Sequence, residues 1–469
     1  MYILLVSLVW WTYNTVLVIL GMVVVCKVVA TLTSPATHTI AFFHPYANAG
    51  GGGERVLWKG VAAAMARWPS ARILIYTGNE GIPPEDILAR ARNRFAVELP
   101  REPIFVFLAT RTAVESHALL RPTMLMQSLG SMVLAGEALF RARAHVVIDS
   151  MGYAFTYPVF SWIGGAVVGA YVHYPTISTD MLAAVVAQRP SYNNSSLVAS
   201  SVTLSSAKAT YYRAFAWLYG FMGRRATMVT VNSSWTHGHI AALWGMTSPA
   251  LRTVFPPCDC ATFLELPPPD APSRSLDIVS VGQFRPEKDH LLQVRAFARA
   301  RATPGFPAQA KLVLIGSVRN ADDAARVAAL HSLAAELDVA DAVDIRTDVA
   351  FPDLVAALGA STVGLHTMWN EHFGIAVVEY MAAGLVTLAH GTGGPLMDIV
   401  GPPSAGRGFL ATSLDEFADQ LVYIYAHLPE ARAVAAAGRA SVMRFSDDVF
   451  DAAFTDALAL LEPVSAPSP

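Results

Sequence analysis

The sequence predicts an α/β protein with two doubly wound parallel sheets. Each half of the chain contains a buried strand, a glycine-rich turn and a helix in that order, and a proline-rich stretch at residues 266–272 separates the halves. A length of 469 residues is enough for two or three domains that each bury a core. The net charge of −3 argues against the basic surface that nucleic-acid-binding proteins carry.

Residues 1–30 are predicted to form a transmembrane anchor. Residues 1–26 contain no charged side chain and, at about 1.5 Å per residue, can cross a hydrocarbon core of about 30 Å. The segment lacks the basic start and the short apolar core of a cleaved signal peptide. Lys27 is the first charge, and its position after the span favours a cytosolic body. The three cysteines are too few for a disulfide framework, in keeping with the cytosol.

The first half begins with a predicted strand at residues 39–43, followed by His44 and Tyr46. Four consecutive glycines come next: Gly50, Gly51, Gly52 and Gly53. An amphipathic helix is predicted to begin at Glu54. Glycines let backbone N–H groups approach phosphate or sugar oxygens closely, and the helix dipole favours negative charge there. The spacing matches neither a P-loop nor the dinucleotide fingerprint, and a mobile surface turn is the alternative interpretation.

Two further strands of the first half are predicted to end in polar side chains. Asp149 follows the strand at residues 145–148, and His173 ends the strand at residues 166–173. A single histidine more often has a structural role, but a histidine at a strand end points to the edge of the sheet where ligands bind. We therefore expect both side chains to lie on the ligand-binding face of the first domain.

Two apolar segments could contact a membrane. Residues 154–171 carry no charge, but Pro158 and the glycines at 164–165 interrupt them, which predicts a helix and then a buried strand and not a second span. Residues 214–222 are rich in aromatic side chains and precede Arg224 and Arg225. This composition suits a segment at the lipid headgroups and equally a core helix with a basic end.

The second half begins with a predicted strand at residues 276–282, which leads into Arg285 and Lys288. Cations on a loop at a strand end lie where a doubly wound sheet would hold an anion. The alternative is a pair of solvated surface charges.

The stretch around Glu371 and Glu379 has the most informative spacing in the chain. A buried strand at 361–366 precedes it, and a helix at 374–383 follows Glu371 and contains Glu379. Both carboxylates can face a ligand over the helix N-terminus, because Glu379 lies about one and a half turns into the helix. The N–H groups at the helix start are available to a diphosphate: those of Phe373, Gly374 and Ile375. A nucleotide-sugar fits this pattern, whereas one loop glutamate and one solvated helix glutamate are the alternative.

Residues 44–58, 282–290 and 371–395 together resemble the retaining GT-B glycosyltransferases of family four. Within that family the match is to the α-1,2-mannosyltransferases that extend the dolichol-linked oligosaccharide at the endoplasmic reticulum, and it covers nearly the whole chain. The resemblance implies two Rossmann-like domains facing a cleft and GDP-mannose as donor, with no metal cofactor. It also implies dolichol-diphosphate-linked Man3GlcNAc2, and then Man4GlcNAc2, as acceptor.

Each candidate residue receives a role from this resemblance. Catalysis is expected from Glu371, which orients the mannose, from His173, which contacts the donor sugar, and from the two diphosphate ligands Arg285 and Lys288. Donor binding is expected from Glu379 on the ribose, from the helix start at Phe373, Gly374 and Ile375, and from the glycines Gly50, Gly51, Gly52 and Gly53. The acceptor side is expected to include His44, Tyr46 and Asp149. Gln283 stands where the family commonly has arginine, and Arg285 is expected to replace it.

The expected domains are an anchor at 1–30, a first domain at 31–257, a proline-rich linker at 258–272, a second domain at 273–445, a C-terminal helix at 446–463 that crosses back to the first domain, and a tail at 464–469. The resemblance places the chain in the membrane of the endoplasmic reticulum as a single-pass protein with a cytosolic body, in a possible complex with other mannosyltransferases of its pathway. A transferase using another nucleotide-sugar and a silent scaffold of the same fold are the alternatives.

Overall fold

A computed structural model of the chain describes residue 21 and residues 35–115, 123–181 and 202–462. Apart from Gly21, the predicted anchor at 1–30 lies outside these residues, as does the tail at 464–469. In the part of the chain that is described, no helix has the length and apolar composition needed to cross a bilayer. The described residues form two compact units. The first comprises residues up to Val231, Thr236–Val254 and those from Asp451 onward, and the second comprises Asn232–Trp235 and Phe255–Phe450.

The first unit is built on a parallel sheet. Its strands are β1 Thr39–Phe43, β2 Arg72–Thr77, β3 Ile104–Phe107, β4 Val146–Asp149, β5 Val167–Val172, β6 Met228–Val231 and β7 Leu251–Thr253. The described strands lie in the order β3-β2-β1-β4-β5-β6-β7, with Phe43 of β1 in register with Asp149 of β4. The order reverses between β1 and β4, and ligands of doubly wound sheets bind outside the strand ends at such a point.

The helices that flank this sheet are α1 Gly52–Arg67, α2 Pro84–Phe95, α3 Thr123–Arg141, α4 Val202–Gly223 and α5 Ser234–Trp244, of which α5 belongs to the first unit from Thr236 onward. The prediction that α1 begins at Glu54 is wrong by two residues, since the helix starts at Gly52. The cause is a capping contact, because the Glu54 carboxylate accepts the N–H of Gly51 at 2.6 Å and draws the preceding glycines into the first turn.

The two apolar segments of the first unit fold as core elements. Residues 156–163 are helical and lead into β5, which confirms the prediction of a helix and then a buried strand. In α4, Phe215 and Tyr219 are buried in the core, whereas Trp217 is 68% exposed on another face. The guanidinium of Arg225 lies 5.5 Å from the ring centroid of Trp162. Residues 214–225 therefore combine a core face with an exposed aromatic and basic face.

The C-terminal helix α13, Asp447–Leu458, is followed by a short 3₁₀ turn, Ala459–Leu461. From Asp451 onward the chain groups with the first unit. Asp451 Oδ2 accepts from Lys59 Nζ at 2.7 Å, and the Phe454 ring packs near that of Tyr171, with centroids 6.4 Å apart.

The second unit has its own parallel sheet. Its strands are β8 Ile278–Val281, β9 Leu312–Gly316, β10 Val343–Thr347, β11 Val363–His366, β12 Val386–His390 and β13 Phe409–Ala411. The described strands lie in the order β10-β9-β8-β11-β12-β13, so the order reverses between β8 and β11. Separate hydrophobic clusters contain side chains such as Leu314 and Ile315, which alternate along β9.

The helices of this unit are α6 Cys260–Leu264, α7 His290–Arg301, α8 Ala321–Glu336, α9 Phe351–Ala360, α10 Ile375–Ala382, α11 Leu414–Ala426 and α12 Leu428–Ala440. The helix α6 was not predicted and lies in the expected proline-rich linker. Asp259 caps it by accepting the N–H of Thr262, and Phe263 is buried. The first part of the expected linker at 258–272 is therefore a packed helix of the second unit.

Candidate active site

Two of the predicted catalytic residues, Lys288 and Glu371, lie where the strand order of the second sheet reverses. Gly282 follows β8 and leads to Lys288, whereas β11 ends at His366 and leads to Glu371. Because β8 and β11 are parallel neighbours, their carboxyl ends meet at the same edge of the sheet. The fold therefore brings together two loops that are more than eighty residues apart in sequence.

Lys288 and Glu371 form a close ion pair at this edge. Lys288 Nζ lies 2.6 Å from Glu371 Oε2, and His366 Nε2 lies 3.0 Å from the same oxygen. The Glu371 side chain is only 12% exposed. Burial alone would raise the pKa of Glu371, but the Lys288 ammonium and the hydrogen bond from His366 outweigh it and hold that pKa well below its usual range. Glu371 is therefore a carboxylate at neutral pH, with its charge balanced by a cation on the neighbouring loop.

The loop that carries Lys288 is fixed to the end of β11. Residues Pro286–Lys288 form a 3₁₀ turn, and Asp289, in a left-handed conformation, caps α7. The hydroxyl of Thr367 lies 2.9 Å from the carbonyl oxygen of Lys288, to which it donates. The amide of Gln293 in turn donates to Thr367 Oγ1 at 2.9 Å. The backbone of Lys288 is thereby held while its ammonium keeps the reach of a flexible side chain.

The loop that carries Glu371 is fixed by the glycine-rich turn after β12. Thr392 Oγ1 accepts the N–H of Asn370 at 2.9 Å and lies 2.9 Å from Nδ1 of His390. Burial, more than neighbouring charge, lowers the pKa of His390 to about 4, so its neutral ring can accept a hydrogen bond from the Thr392 hydroxyl. The N–H of Gly394 donates to the Glu371 carbonyl at 2.8 Å. A Cβ on Gly393 would overlap that same carbonyl oxygen, so the close approach requires glycine.

The helix α10 begins directly after this loop. Gly374, at φ 109°, turns the chain into the helix, and the Phe373 ring packs against Phe445 with centroids 5.4 Å apart. Ile375 and Glu379 are half-buried on successive turns of α10. The hydroxyl of Tyr380 accepts the N–H of Val281 at 2.6 Å, which ties the helix to β8. The helix predicted at 374–383 is observed at Ile375–Ala382, with Gly374 and Ala383 as its caps and Gly384, at φ 80°, directly after it.

The side chain of Arg285 contacts a different carboxylate from the one that Lys288 contacts. Its Nη1 is 3.7 Å from Glu287 Oε1, and its side chain is 38% exposed. The structure thus joins Lys288 with Glu371 and leaves Arg285 at a more exposed position on the same loop.

In the first unit, His44 and Glu54 form a buried network at the end of β1. His44 Nδ1 lies 2.8 Å from Ser150 Oγ, and His44 Nε2 lies 3.4 Å from Glu54 Oε1. The second carboxylate oxygen of Glu54 accepts the Gly51 N–H. Burial raises the pKa of Glu54, but the His44 hydrogen bond and the backbone donors outweigh that effect and lower it. The network fixes the glycine-rich turn from within.

His173 lies against the same turn, because a Cβ on Gly53 would be 3.5 Å from His173 Nε2. Gly50 has φ 78°, and its carbonyl accepts from Arg94 Nε. The glycine turn is therefore lined by an imidazole on one side and by a guanidinium on another. Tyr46 lies nearby in sequence, with Arg111 5.5 Å from its ring centroid.

Asp149 is fully buried and supports the turn that follows β4. Its carboxylate accepts from the N–H of Met151 at 2.9 Å, the N–H of Tyr153 at 2.6 Å and the hydroxyl of Tyr157 at 2.9 Å. Burial raises the pKa of Asp149 to about 6, since the hydrogen bonds compensate the desolvation only in part. These contacts describe a positioning residue for the turn at 150–153.

Sequence reasoning missed three residues that this site uses: His366, His390 and Thr392. His366 and His390 both end strands, which is the signal that selected His173 in the first half. Thr392 lies inside a glycine-rich turn, where a hydroxyl is an ordinary turn residue, and no sequence signal separates its role from that one.

The described residues contain no group of three or more His, Cys, Asp or Glu side chains placed to hold a metal ion.

The class of protein follows from a family match in the second half of the chain and from a solved structure of similar fold. Residues 266–440 match the family described as "Glycosyl transferases group 1". The solved structure of sucrose-phosphate synthase from Thermosynechococcus elongatus aligns with 90% of this chain and 99% of its own at a TM-score of 0.64, with 17% identity. At that identity the likeness concerns the fold, which is that of GT-B glycosyltransferases.

The particular family follows from the first half and from whole-chain relatives. Residues 37–244 match "ALG11 mannosyltransferase N-terminus". The GDP-Man:Man(3)GlcNAc(2)-PP-Dol alpha-1,2-mannosyltransferase of Mus musculus is 47% identical over 422 residues, covering 88% of this chain and 85% of the relative, and that of Homo sapiens gives the same figures. The chain belongs to this family of mannosyltransferases.

Proposed function

We propose that this chain transfers mannose from GDP-mannose to dolichol-diphosphate-linked Man3GlcNAc2, and then Man4GlcNAc2, through α-1,2 linkages with retention of configuration. The family membership supports the reaction and both substrates. The observation that carries the proposal is the Lys288 and Glu371 pair, 2.6 Å apart where the second sheet reverses its strand order. The ammonium of Lys288 can neutralise a diphosphate there, and the carboxylate of Glu371 can accept from sugar hydroxyls.

The second unit holds the donor in this proposal. Lys288 and Arg285 neutralise the diphosphate, and the N–H groups at the start of α10, from Phe373 to Ile375, bind its oxygens. Glu379 accepts from the ribose hydroxyls. Lys288 exchanges part of its contact with Glu371 for the diphosphate, and Glu371 then accepts from a mannose hydroxyl while His366 keeps it in place. The expected domain at 273–445 thus carries the donor and the one at 31–257 the acceptor.

The chemical step depends on charge stabilisation. As the bond between mannose C1 and the diphosphate oxygen breaks, negative charge grows on the leaving phosphate, and the Lys288 ammonium and the Arg285 guanidinium stabilise it. The leaving phosphate takes the proton of the acceptor hydroxyl, which bonds to C1 on the same face. No side chain is assigned as a covalent nucleophile. In the first unit, His173 and the glycines at 50–53 are assigned to the sugar, and His44, Tyr46 and Asp149 to the acceptor.

The membrane location is a further part of the proposal. Residues 1–30 anchor the chain in the endoplasmic reticulum, with the body in the cytosol where GDP-mannose is made available. The exposed Trp217 and Phe221 of α4 with Arg225 beside them suit contact with lipid headgroups. In sealed microsomes, added protease should digest the body. Complete protection of residues 35–462 would place them in the lumen and contradict this orientation.

The reaction is tested with the full-length protein in detergent. Labelled GDP-mannose, GDP-fucose, UDP-glucose and UDP-N-acetylglucosamine are each incubated with lipid-linked Man3GlcNAc2. We expect extension by one and then two hexoses with GDP-mannose alone, and release of the label by an α-1,2-specific mannosidase. Equal transfer from a UDP-sugar would overturn the donor assignment, and absence of transfer from every donor, together with intact GDP binding, would favour a scaffold role.

A further inference from the structure

His290 is a buried histidine at the first position of α7, two residues after Lys288. Its side chain is 5% exposed. Among the described residues its Nε2 has no hydrogen-bond partner. Leaving such a polar atom unpaired in a buried position costs roughly 1–3 kcal/mol. A buried polar atom without a partner calls for an explanation, and a ligand atom is one.

The unpaired nitrogen faces Gly282, the residue that ends β8. A Cβ built on Gly282 would lie 3.9 Å from His290 Nε2 and 3.6 Å from Lys288 Cδ. The missing side chain of Gly282 therefore leaves a space bordered by an imidazole nitrogen and by the stem of the lysine. This space lies at the strand end where the sheet reverses its order, which is where doubly wound sheets bind phosphate groups.

The orientation of the imidazole is set by its neighbours. The ring packs on Phe284 with centroids 5.0 Å apart. Asp289 caps the helix by accepting the N–H of Leu292, which fixes the backbone on which His290 is carried. Burial first, and then the Lys288 ammonium and the neighbouring His366, lower the pKa of His290 to about 4. The ring is therefore neutral at pH 7 and carries a single N–H.

We propose that His290 donates a hydrogen bond from Nε2 to a diphosphate oxygen of the nucleotide-sugar, over Gly282 and beside Lys288. The inference rests on the proposed function, because it takes the second unit to bind a sugar diphosphate. His290 then supplies a neutral donor where Lys288 supplies charge. A neutral donor binds the diphosphate before and after the sugar leaves, so its removal weakens nucleotide binding more than it slows the chemical step.

The experiment compares His290→Leu with His290→Gln in the full-length protein. The amide nitrogen of glutamine reaches about as far as Nε2, whereas leucine fills the space without a donor. His331→Leu is the matched control, because His331 is an exposed histidine on α8. Binding of GDP and of guanosine is measured by titration calorimetry, and stability by thermal unfolding.

We expect His290→Leu to weaken GDP binding about tenfold, which is about 1.4 kcal/mol, and to leave guanosine binding unchanged. His290→Gln should stay within about threefold of the wild type for GDP, and thermal stability should be unchanged or higher in His290→Leu, because an unpaired buried nitrogen is removed. Wild-type GDP affinity in His290→Leu would overturn the inference. Equal losses for GDP and guanosine would also overturn it, since they indicate a contact to the base or a distorted unit.

A failure of the proposed donor is distinguishable from a failure of this inference. If the wild type binds UDP and not GDP, the GDP-mannose assignment falls, and the same variants measured with UDP and uridine still decide whether His290 contacts the diphosphate. If His290→Leu does not fold, His290→Asn replaces it, because its shorter side chain cannot place a donor at the Nε2 position. Tight diphosphate binding by His290→Asn would contradict the contact.

Discussion

The two units each place a glutamate beside a strand-end histidine at the point where the strand order reverses, yet the two carboxylates make different contacts. Glu54 lies 3.4 Å from His44 and uses its other oxygen to accept the N–H of Gly51. Glu371 lies 3.0 Å from His366 and 2.6 Å from the ammonium of Lys288. One glutamate is bonded to its own turn, and the other is bonded to a flexible cation on a neighbouring loop.

Under the proposed function, this difference separates a carboxylate that supports its own turn from one that contacts the donor. A carboxylate that caps its own backbone cannot leave that contact without opening the turn. A carboxylate paired with lysine can share its partner when an anionic ligand arrives, because the ammonium has several donors on a long stem. In this proposal the bonding partner of each glutamate, and not its burial, distinguishes the two roles.

Lys288→Met should have the largest effect, because methionine keeps the apolar stem and removes the charge. By analogy with the loss of an oxyanion donor, we expect turnover to fall on the order of 10² to 10³-fold. Initial rates with labelled GDP-mannose measure it, and Lys311→Met, at an exposed lysine of the same unit, is the control. Unaltered kinetics in a variant that melts like the wild type would remove Lys288 from the site.

Glu371→Gln should depress turnover by roughly 10²-fold while GDP affinity changes less. Glutamine keeps the size and the hydrogen bonding of the side chain but not the charge that balances Lys288, so the loss is expected mainly in the transition state. Single-turnover rates and GDP titration separate the two quantities. A variant that only weakened GDP binding would move Glu371 to a ribose contact.

Thr392→Val should have an intermediate effect, since the hydroxyl of Thr392 holds the loop that carries Glu371. Valine has the same shape but cannot accept the N–H of Asn370, which should cost about 1 kcal/mol of stability. We expect turnover to fall roughly tenfold, of the size that a small misplacement of a reacting group produces. Thr392→Ser keeps the hydroxyl and is the control. Equal turnover in the valine and serine variants would mean that the contact serves stability alone.

Glu54→Gln should affect stability and leave turnover within about threefold of the wild type, with a loss of about 1 kcal/mol at pH 7. The pKa of Glu54 is lowered in the folded state, so its contribution is present above the unfolded pKa of about 4.5 and is lost as pH falls through the folded pKa. The difference in melting temperature between Glu54→Gln and wild type should therefore shrink below pH 4.5. A loss of turnover as large as that of Glu371→Gln would abolish the distinction between the two glutamates.

Much of the fold could be predicted from the sequence, because strands and helices of doubly wound sheets leave local signals. The strand at 39–43 is observed with the predicted bounds, and the helix after Glu371 ends within two residues of the predicted stop at Gly384. The signals are apolar runs and the glycine at 384, which has a positive φ in the structure. Both act on the chain within a few residues. The loops that carry Lys288 and Glu371 were located for the same reason.

The contacts within the site could not be predicted, because they join residues that are distant in sequence. The hydroxyl of Thr392 meets the N–H of Asn370 only after β11 and β12 pair, and that register is a property of the sheet. The start of α1 at Gly52 depends on a side chain that reaches back to Gly51, which helix propensity does not describe. His290 is one of 13 histidines, and its unpaired nitrogen is visible only in the folded unit.

The backbone of Gly393 lies so close to the Glu371 carbonyl that mutations of its codon have a restricted set of outcomes. Any Cβ at that position would overlap the Glu371 carbonyl, and the residue has φ 60°, which side-chain-bearing residues rarely adopt. Glycine codons share the form GGN, so a single nucleotide change in them either is silent, stops translation or introduces a residue with a Cβ. No intermediate allele is available by which this turn could be altered gradually. Every missense allele at codon 393 should therefore impair the enzyme, whatever the chemistry of the new side chain.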